Sequence, residues 1–391
     1  MTHTWQEVSL GEVGQSLIGL TYSPANVRRD GTLVLRSSNI QGGQLAFDDN
    51  VYVDAPIPEK IRIRQNDILI CVRNGSRRLI GKSVMLDSRV VGETFGAFMA
   101  VYRSDLNPFL QYFFQSDDFK RQIDEHLGAT INQITNGSLN SFTVTLPSLP
   151  EQQAIVKTLK DADALIDALR RLLVKKRAIK HGILQQLLSG RTRLPGFTDP
   201  WTSVQFDSVA LVSSDRAMPQ RVDPGTRLIE LEHVEGGTGR VQGWSTASVA
   251  GSLKARFEPG DVLFGKLRAY LRKYWLADGS GLCSTEFWVL RPRAGYASGY
   301  LRYLVESEEF IEAASGGFGT HMPRADWGVV RKLRFSVPAL QEQESIARGL
   351  LDADAEISAV RARLAKAQSL KQGLIQQLLT GRSRVTVEDA A

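Results

Sequence analysis

From Glu151 the apolar residues Ile155, Leu159, Ala162, Ile166, Leu169 and Leu173 recur at alternating spacings of four and three. That spacing keeps one apolar stripe on a helix and is the seam of a coiled coil. It returns in Ile346, Leu350, Ala353, Ile357, Val360 and Leu364. Pro147 and Pro338 stand just before the two runs and close the preceding strands, while Gly190 and Gly381 stand just after, where glycine ends a helix at no steric cost. Two helices of roughly forty residues, each about 60 Å long, are predicted. Ser148 with Glu151 can form a capping box in the first copy only. Arg191, Arg193, Arg382 and Arg384 follow the helix ends, where cations complement the negative pole of the helix. Gly182 and Gly373 sit at the same place in both helices and cost about 1 kcal/mol each there, so a close backbone approach is expected at them.

Outside these helices the period shortens. Runs at 61–63, 67–72, 96–102, 227–233 and 284–290 are rich in alternating and β-branched residues and predict strands. Helical patterns at 109–127 and 298–314 follow them. Each region is therefore a mixed α+β domain.

The two halves are copies. Leu-Pro-Ser-Leu-Pro-Glu-Gln-Gln from Leu146, running on to Arg193, returns from Val337 to Arg384 without a gap. The register extends upstream to pair Ser116-Asp117-Asp118-Phe119 with Ser307-Glu308-Glu309-Phe310, and Gln65-Asn66-Asp67-Ile68-Leu69 matches Pro259-Gly260-Asp261-Val262-Leu263. Trp5 matches Trp201. A repeat this long is a duplicated domain, not a solenoid unit. The expected order is a domain over 1–146, a spacer helix over 147–197, a second domain over 198–337 and a second spacer helix over 338–391. Two like helices in a pseudo-symmetric chain pack antiparallel and separate the two domains. A coiled coil that merely joins two copies of the chain is the alternative.

Composition narrows the class. The 391 residues are 42% hydrophobic and 23% charged, ordinary for a folded protein and too long for one core. There is no run of about eighteen apolar residues, and the first ten residues lack the blocks of a signal peptide, so a cytoplasmic protein without membrane association is expected. Cys71 and Cys283 lie in separate halves within apolar runs, as buried free thiols do. The formal net charge of +6 hints at a polyanionic partner. Residues 151–197 carry about all of that excess, so local clusters must carry any nucleic-acid argument.

One stretch in each domain is locally basic, directly after the matched Asp-Ile/Val-Leu strand. The first holds Arg73, Asn74, Arg77, Arg78 and Lys82; the second holds Lys266, Arg268, Tyr270, Arg272 and Lys273. Charges mixed with amide, glycine and aromatic residues suit phosphate clamping and base-edge contact, because arginine can grip guanine with two donors and asparagine can do the same to adenine. A solvated basic hairpin explains the same residues without DNA. Two further loops are candidates: Arg36-Ser37-Ser38-Asn39 with its counterpart Glu230-Leu231-Glu232-His233, and Asn132-Gln133-Asn136 with His321 and Arg324. Their tips differ between halves, as two readers of different sequences require.

Enzyme signatures fail on inspection. An amino-methyltransferase needs an Asp/Asn-Pro-Pro-aromatic tetrapeptide, and Asn107-Pro108-Phe109 and Asp199-Pro200-Trp201 each have a single proline. Gly316, Gly317 and Gly319 follow a helix instead of a strand, a poor setting for a dinucleotide loop. The chain has no G-x-x-x-x-G-K-S/T phosphate loop, and its five histidines lack metal-ligand spacing.

The doubled Leu-Pro-x-Leu-x-Glu-Gln, the Gly-Ile/Leu-Leu/Ile-Gln-Gln-Leu-Leu helix ends, and Gly-Asp-Val-Leu-Phe-Gly-Lys-Leu-Arg-Ala-Tyr-Leu-Arg-Lys followed by Cys-Ser-Thr-Glu-Phe-Trp together resemble the specificity subunit of type I restriction-modification systems. The first domain departs from the usual pattern, with Gly96-Ala97-Phe98 where the second has Ser284-Thr285-Glu286-Phe287. The resemblance implies that two target-recognition domains bind the halves of a split, asymmetric duplex DNA target, with the helices fixing an unread spacer. It implies that two methyltransferase subunits dock on the helical region, with Gln185, Gln186, Gln376 and Gln377 as candidate docking residues. Those subunits would flip and methylate an adenine in each half-site using S-adenosylmethionine that they hold, and restriction and translocase subunits would join the same core. This chain would hold no cofactor or metal and no catalytic residue. The remaining alternatives are a DNA-binding coiled-coil scaffold and a methylation-only specificity subunit.

Overall fold

The computed structural model describes residues 5–127, 132–316 and 323–385. The chain divides into two compact units, Met1–Leu169 with Arg363–Ala391, and Arg170–Ala362. Each α+β domain thus shares its unit with the first part of the long helix that follows it and the last part of the other. The long helices are Leu149–Leu188 and Leu340–Leu379, forty residues each.

In the first unit, Gln6–Ser9 pairs antiparallel with Thr143–Leu146. Gln15–Ile18, Met99–Arg103, Ile68–Cys71 and Ser83–Met85 form an antiparallel sheet in that spatial order. A second sheet runs Thr94–Phe95, Thr32–Leu35, Tyr52–Val53, Val27–Arg28, with the first pair parallel. Strand Ile68–Cys71 is buried on both faces, which is why it reads as an unbroken apolar run. Ile68 and Ile70 face a core with Leu10, Tyr102, Phe109 and Phe119, while Leu69 and Cys71 face another with Leu35, Phe95 and Val101. The period of two thus feeds two cores from one strand.

The second unit repeats the plan. Thr202–Gln205 pairs with Arg334–Val337, and Ala210–Val212, Phe287–Pro292, Val262–Gly265 and Tyr274–Leu276 make the antiparallel sheet. Gly281–Cys283 lies parallel to Arg227–Ile229 in the other sheet, the counterpart of the parallel pair above. Buried Asp67 holds Arg103 at 2.7 Å, and buried Asp261 holds Arg291 at 2.7 Å, the same link in both domains. Asn66 and Gly260 precede them with positive φ, so the matched Asn/Gly-Asp pair is a left-handed turn before a buried strand.

Sequence periodicity ran past several boundaries; the run at 227–233 is the strand Arg227–Ile229 followed by a 3-10 turn, Leu231–His233. The pattern at 109–127 is two helices, Asn107–Phe113 and Asp117–His126, broken where the Ser116 hydroxyl accepts the Phe119 N–H at 3.2 Å. The pattern at 298–314 breaks identically at Ser307, which caps Phe310. An N-cap side chain satisfies an otherwise orphaned donor and outweighs continued apolar spacing. The run at 61–63 is the end of a short 3-10 turn, Glu59–Ile61, instead of a strand.

The helical stripes pack on the domains as well as on each other. Ile155 and Leu159 enter the core of the first domain together with Ile375 and Leu378, and Leu184 and Leu187 enter that of the second with Ile346 and Leu350. In the first unit Asp163 takes Lys371 at 2.6 Å and the Tyr112 hydroxyl at 3.1 Å. In the second, Asp354 takes Lys180 at 2.8 Å and the Tyr303 hydroxyl at 2.9 Å. Past each helix end, Gly381 and Gly190 have φ of +68° and lie against Trp5 and Trp201. Arg384 sits over Trp5 and pairs with Glu151 in the first unit, and Arg193 sits over Trp201 and pairs with Glu342 in the second. The expected close approach at Gly182 and Gly373 is not found: a Cβ at either would meet nothing within 4 Å among the described residues. Cys71 and Cys283 are buried free thiols, with burial raising both pKa values.

Candidate nucleic-acid interface

In the first domain three candidate loops converge. The Arg73 backbone bridges to Gln133, and the Asn74 N–H donates to the Asn132 carbonyl at 3.4 Å. The Asn74 amide reaches the Ser37 hydroxyl at 3.4 Å, and the Lys82 ammonium reaches the Ser37 carbonyl at 3.5 Å. The loops at 36–39, 73–82 and 132–133 therefore form one surface, although nearly a hundred residues separate the first from the last.

The second domain builds the same surface from different side chains. Leu267 bridges to Arg324, and the Arg268 N–H donates to the Pro323 carbonyl at 2.8 Å. The Lys273 ammonium binds the Leu231 carbonyl at 2.6 Å, in the place where Lys82 binds Ser37. Lys82 and Lys273 are thus pins for the neighbouring turn as well as surface charges.

Several candidates are engaged within the protein. Asn39 is fully buried: its carbonyl oxygen accepts the Arg36 N–H at 2.8 Å, and its amide donates to the Ala46 carbonyl and to Asn50. It shapes the turn and cannot reach a base edge. In the second domain the His233 ring does this job, its Nδ1 accepting the Glu230 N–H at 3.0 Å. Arg36 pairs with Asp49 at 2.9 Å, and Arg77 with Asp124 at 3.3 Å. Arg272 is paired with Glu308, whose carboxyl this guanidinium holds below the usual carboxylate range. His321 lies outside the described residues.

Others stay available. Arg78 and Arg268 are exposed and make no ion pair among the described residues; Lys266 is half-buried and also makes none. Tyr270 is 54% exposed. Arg268 and Arg272 both have φ of +52° and flank the single turn Ala269–Leu271, a left-handed geometry that non-glycine residues adopt at a cost. Arg324 is half-engaged, its Nε and Nη2 gripping Glu286 at 3.0 and 3.1 Å.

Sequence reading missed Phe98. It is 58% exposed, with the Arg73 guanidinium 5.0 Å from its ring centre. Its carbonyl accepts the Val72 and Arg73 N–H groups, as that of Glu286 accepts the Lys266 N–H, so Phe98 stands in the position of Glu286 and Met99 in that of Phe287. Aligning the two phenylalanines by type misplaces the register by one residue. The signal that finds it is strand pairing, since Met99 opposes Cys71 as Phe287 opposes Gly265.

On the helices, Gln185, Gln186 and Gln377 are exposed, and Gln185 contacts His181 at 3.1 Å. Gln376 is half-buried, its amide nitrogen unpartnered beside a cavity of about 260 Å³ that it lines with Leu379 and Thr380.

Residues 2–175 match the family model described as the type I restriction modification DNA specificity domain. The match takes in the first domain and the start of the first long helix. The type I restriction enzyme EcoDI specificity subunit of Escherichia coli is 23% identical over 309 residues, 69% of this chain and 69% of that protein. The StySPI specificity subunit of Salmonella potsdam is 30% identical over 174 residues, 42% of this chain and 37% of that protein. A solved chain from work on complex assembly and conformational transition of the type I R-M system covers 97% of this chain and 98% of its own length, with a TM-score of 0.56 at 18% identity, a likeness of fold. The resemblance to specificity subunits read from the motifs is borne out, and the second domain repeats the first's four-stranded antiparallel sheet and its paired terminal strands, while its other sheet has five strands against four. Among the described residues no helix is long and apolar enough to cross a membrane, and no group of histidine, cysteine or carboxylate side chains could hold a metal ion.

Proposed function

We propose that this chain is the DNA-reading subunit of a type I restriction-modification complex and binds a split duplex target, one half through each domain. The observation that carries the reading is the repeated convergence of three loops on matching frames with unlike side chains: Arg73, Asn74, Phe98 and Gln133 in one domain, Lys266, Arg268, Glu286 and Arg324 in the other. Equal frames give equal docking on the phosphate backbone, and unlike tips give unlike base contacts.

The domain limits 1–146 and 198–337, with spacer helices over 147–197 and 338–391, follow from the repeat and belong to this proposal. So does an antiparallel helix pair that fixes the distance between half-sites. Methyltransferase subunits, two per chain, dock on the helices. The first helix exposes Leu165, Leu172, Ile179 and Ile183 to this end, spaced by seven, seven and four, and the second exposes Leu351 and Leu370. Apolar residues in such a row on an exposed helix suit a partner surface. Gly182 and Gly373, where a Cβ would meet nothing within 4 Å among the described residues, let that partner's backbone come close.

S-adenosylmethionine and the catalytic residues reside on those partners, restriction and translocase subunits join through them, and the complex works in the cytoplasm. The test is selection of bound duplexes from a random library by the chain purified with its methyltransferase. Two short fixed motifs at one constant spacing are expected. Enrichment of a single uninterrupted motif, or none, contradicts the reading.

A further inference from the structure

Phe98 and Glu286 occupy one position of a duplicated frame, at the mouth of the strand that centres each domain's antiparallel sheet. The Phe98 carbonyl receives the Val72 N–H and that of Glu286 the matching Lys266 N–H; the Glu286 side chain meets the next loop at Arg324, whose counterpart Gln133 bridges to Arg73, the residue beside the Phe98 ring. Chemistry at the position is opposite. Phe98 offers a ring that is 58% exposed in a surface otherwise made of arginine, asparagine, serine and glutamine, and it is the one exposed large aromatic residue among the described residues of the first unit. The Arg73 guanidinium lies 5.0 Å from the ring centre and leaves the ring face exposed for a further contact.

At Glu286 the carboxylate grips the side edge of Arg324, through Nε and Nη2. The guanidinium pulls this carboxyl below its ordinary range, so it stays charged at neutral pH. A guanidinium has five N–H groups in a fixed fork, and two are spent on Glu286; the end edge, with N–H groups on both terminal nitrogens, is left to meet a guanine through O6 and N7. A buttressed arginine arrives already ordered and loses less entropy on binding.

We infer that this position sets base preference in both domains, with Phe98 packing on the methyl group of a thymine in the first half-site and the Glu286-held Arg324 gripping a guanine in the second. The inference rests on the DNA-reading function proposed above. Arg73 is a positioning residue for Phe98, and Glu286 for Arg324.

The test is single-molecule sequencing of N6-methyladenine in DNA from cells carrying the chain and its methyltransferase. The double variant Phe98→Glu, Gln133→Arg installs the second domain's pair in the first. It is expected to change one base pair of one half-site from A·T to G·C and leave the other half-site as it was. Arg324→Gln is expected to lower discrimination for guanine at one position of the other half-site by about tenfold. Phe98→Leu, which keeps the residue apolar and serves if the double variant does not fold, should weaken the thymine preference at the same single position. Half-sites unchanged in Phe98→Leu and Arg324→Gln, at methylation levels equal to the parent's, would overturn the inference. Absence of any chain-dependent motif in the parent would instead sink the DNA-reading function, so the two failures are told apart.

Discussion

At the residue scale the structure sorts cations that a sequence shows as equals. Arg272, Arg77 and Arg36 are spent on Glu308, Asp124 and Asp49, whereas Arg268 and Arg78 are exposed and make no ion pair among the described residues. Arg268→Ala should therefore weaken binding of the cognate duplex by about 1–3 kcal/mol if it meets a base edge, with unfolding in urea unchanged within about 0.5 kcal/mol. Equal affinity of the variant at matched salt would remove Arg268 from the interface. Arg193→Ala should do the reverse. Its partner Glu342 has a side chain 2% exposed, and the Trp201 indole N–H at 3.1 Å would be all that faces the stranded carboxylate among the contacts this site shows. Stranding a buried carboxylate is destabilising, read as a lower urea midpoint with DNA specificity retained. Acid acts on the surface pairs. Glu286 and Glu308 are held below the usual range by Arg324 and Arg272, so these pairs contribute fully above pH 4.5, their ordinary value, and the contribution fades as pH falls through the lowered one. The variant Glu286→Gln with Glu308→Gln should accordingly show a flatter loss of stability between pH 5 and 3 in acid titrations of the full chain; an identical profile would mean that the pairs add nothing.

At the scale of the element, what was legible depended on whether local chemistry or distant packing decides. The long helices were plain because forty residues of three-and-four spacing, bracketed by proline and glycine, repeat almost letter for letter, and they run Leu149–Leu188 and Leu340–Leu379. The breaks at Ser116 and Ser307 were missed because the apolar spacing continues through them, even though each serine with its acidic neighbours is a cap signature. Ser307→Ala should cost about 1 kcal/mol in thermal or urea unfolding. The role of Asn39 was misread for a different reason: a polar residue in a loop tip looks available until Ala46 and Asn50 are seen to close around it. Phe98 was invisible because its meaning lies in strand register, which only long-range pairing sets. Gly182 and Gly373 invite a sharper test, since among the described residues no other element comes within 4 Å of a Cβ at either. Alanine at both should raise helix stability by about 1 kcal/mol per site. Leucine at both should leave the chain folded and prevent a stable complex with the methyltransferase in size-exclusion chromatography; an intact complex would place the docking face elsewhere.

At the scale of the whole molecule, duplication is the organising fact, and it reaches the ends of the chain. Arg384 lies over Trp5 and on Glu151 just as Arg193 lies over Trp201 and on Glu342, so the last helix closes onto the first strand's neighbourhood as the first helix leads into the second domain. A circular permutant that joins the original termini and opens near residue 196 should fold and retain its DNA target; an insoluble product would count against equivalence of the two junctions. The central claim is that each domain independently reads one half of a split target. The most direct measurement replaces residues 1–145 with the corresponding domain of a relative, co-expresses the hybrid with the parent's methyltransferase, and maps N6-methyladenine by single-molecule sequencing. The expected result is a motif in which one half-site is new, the other is the parent's, and the spacer length is preserved. A motif altered in both halves, or unaltered in either at normal methylation, would contradict it.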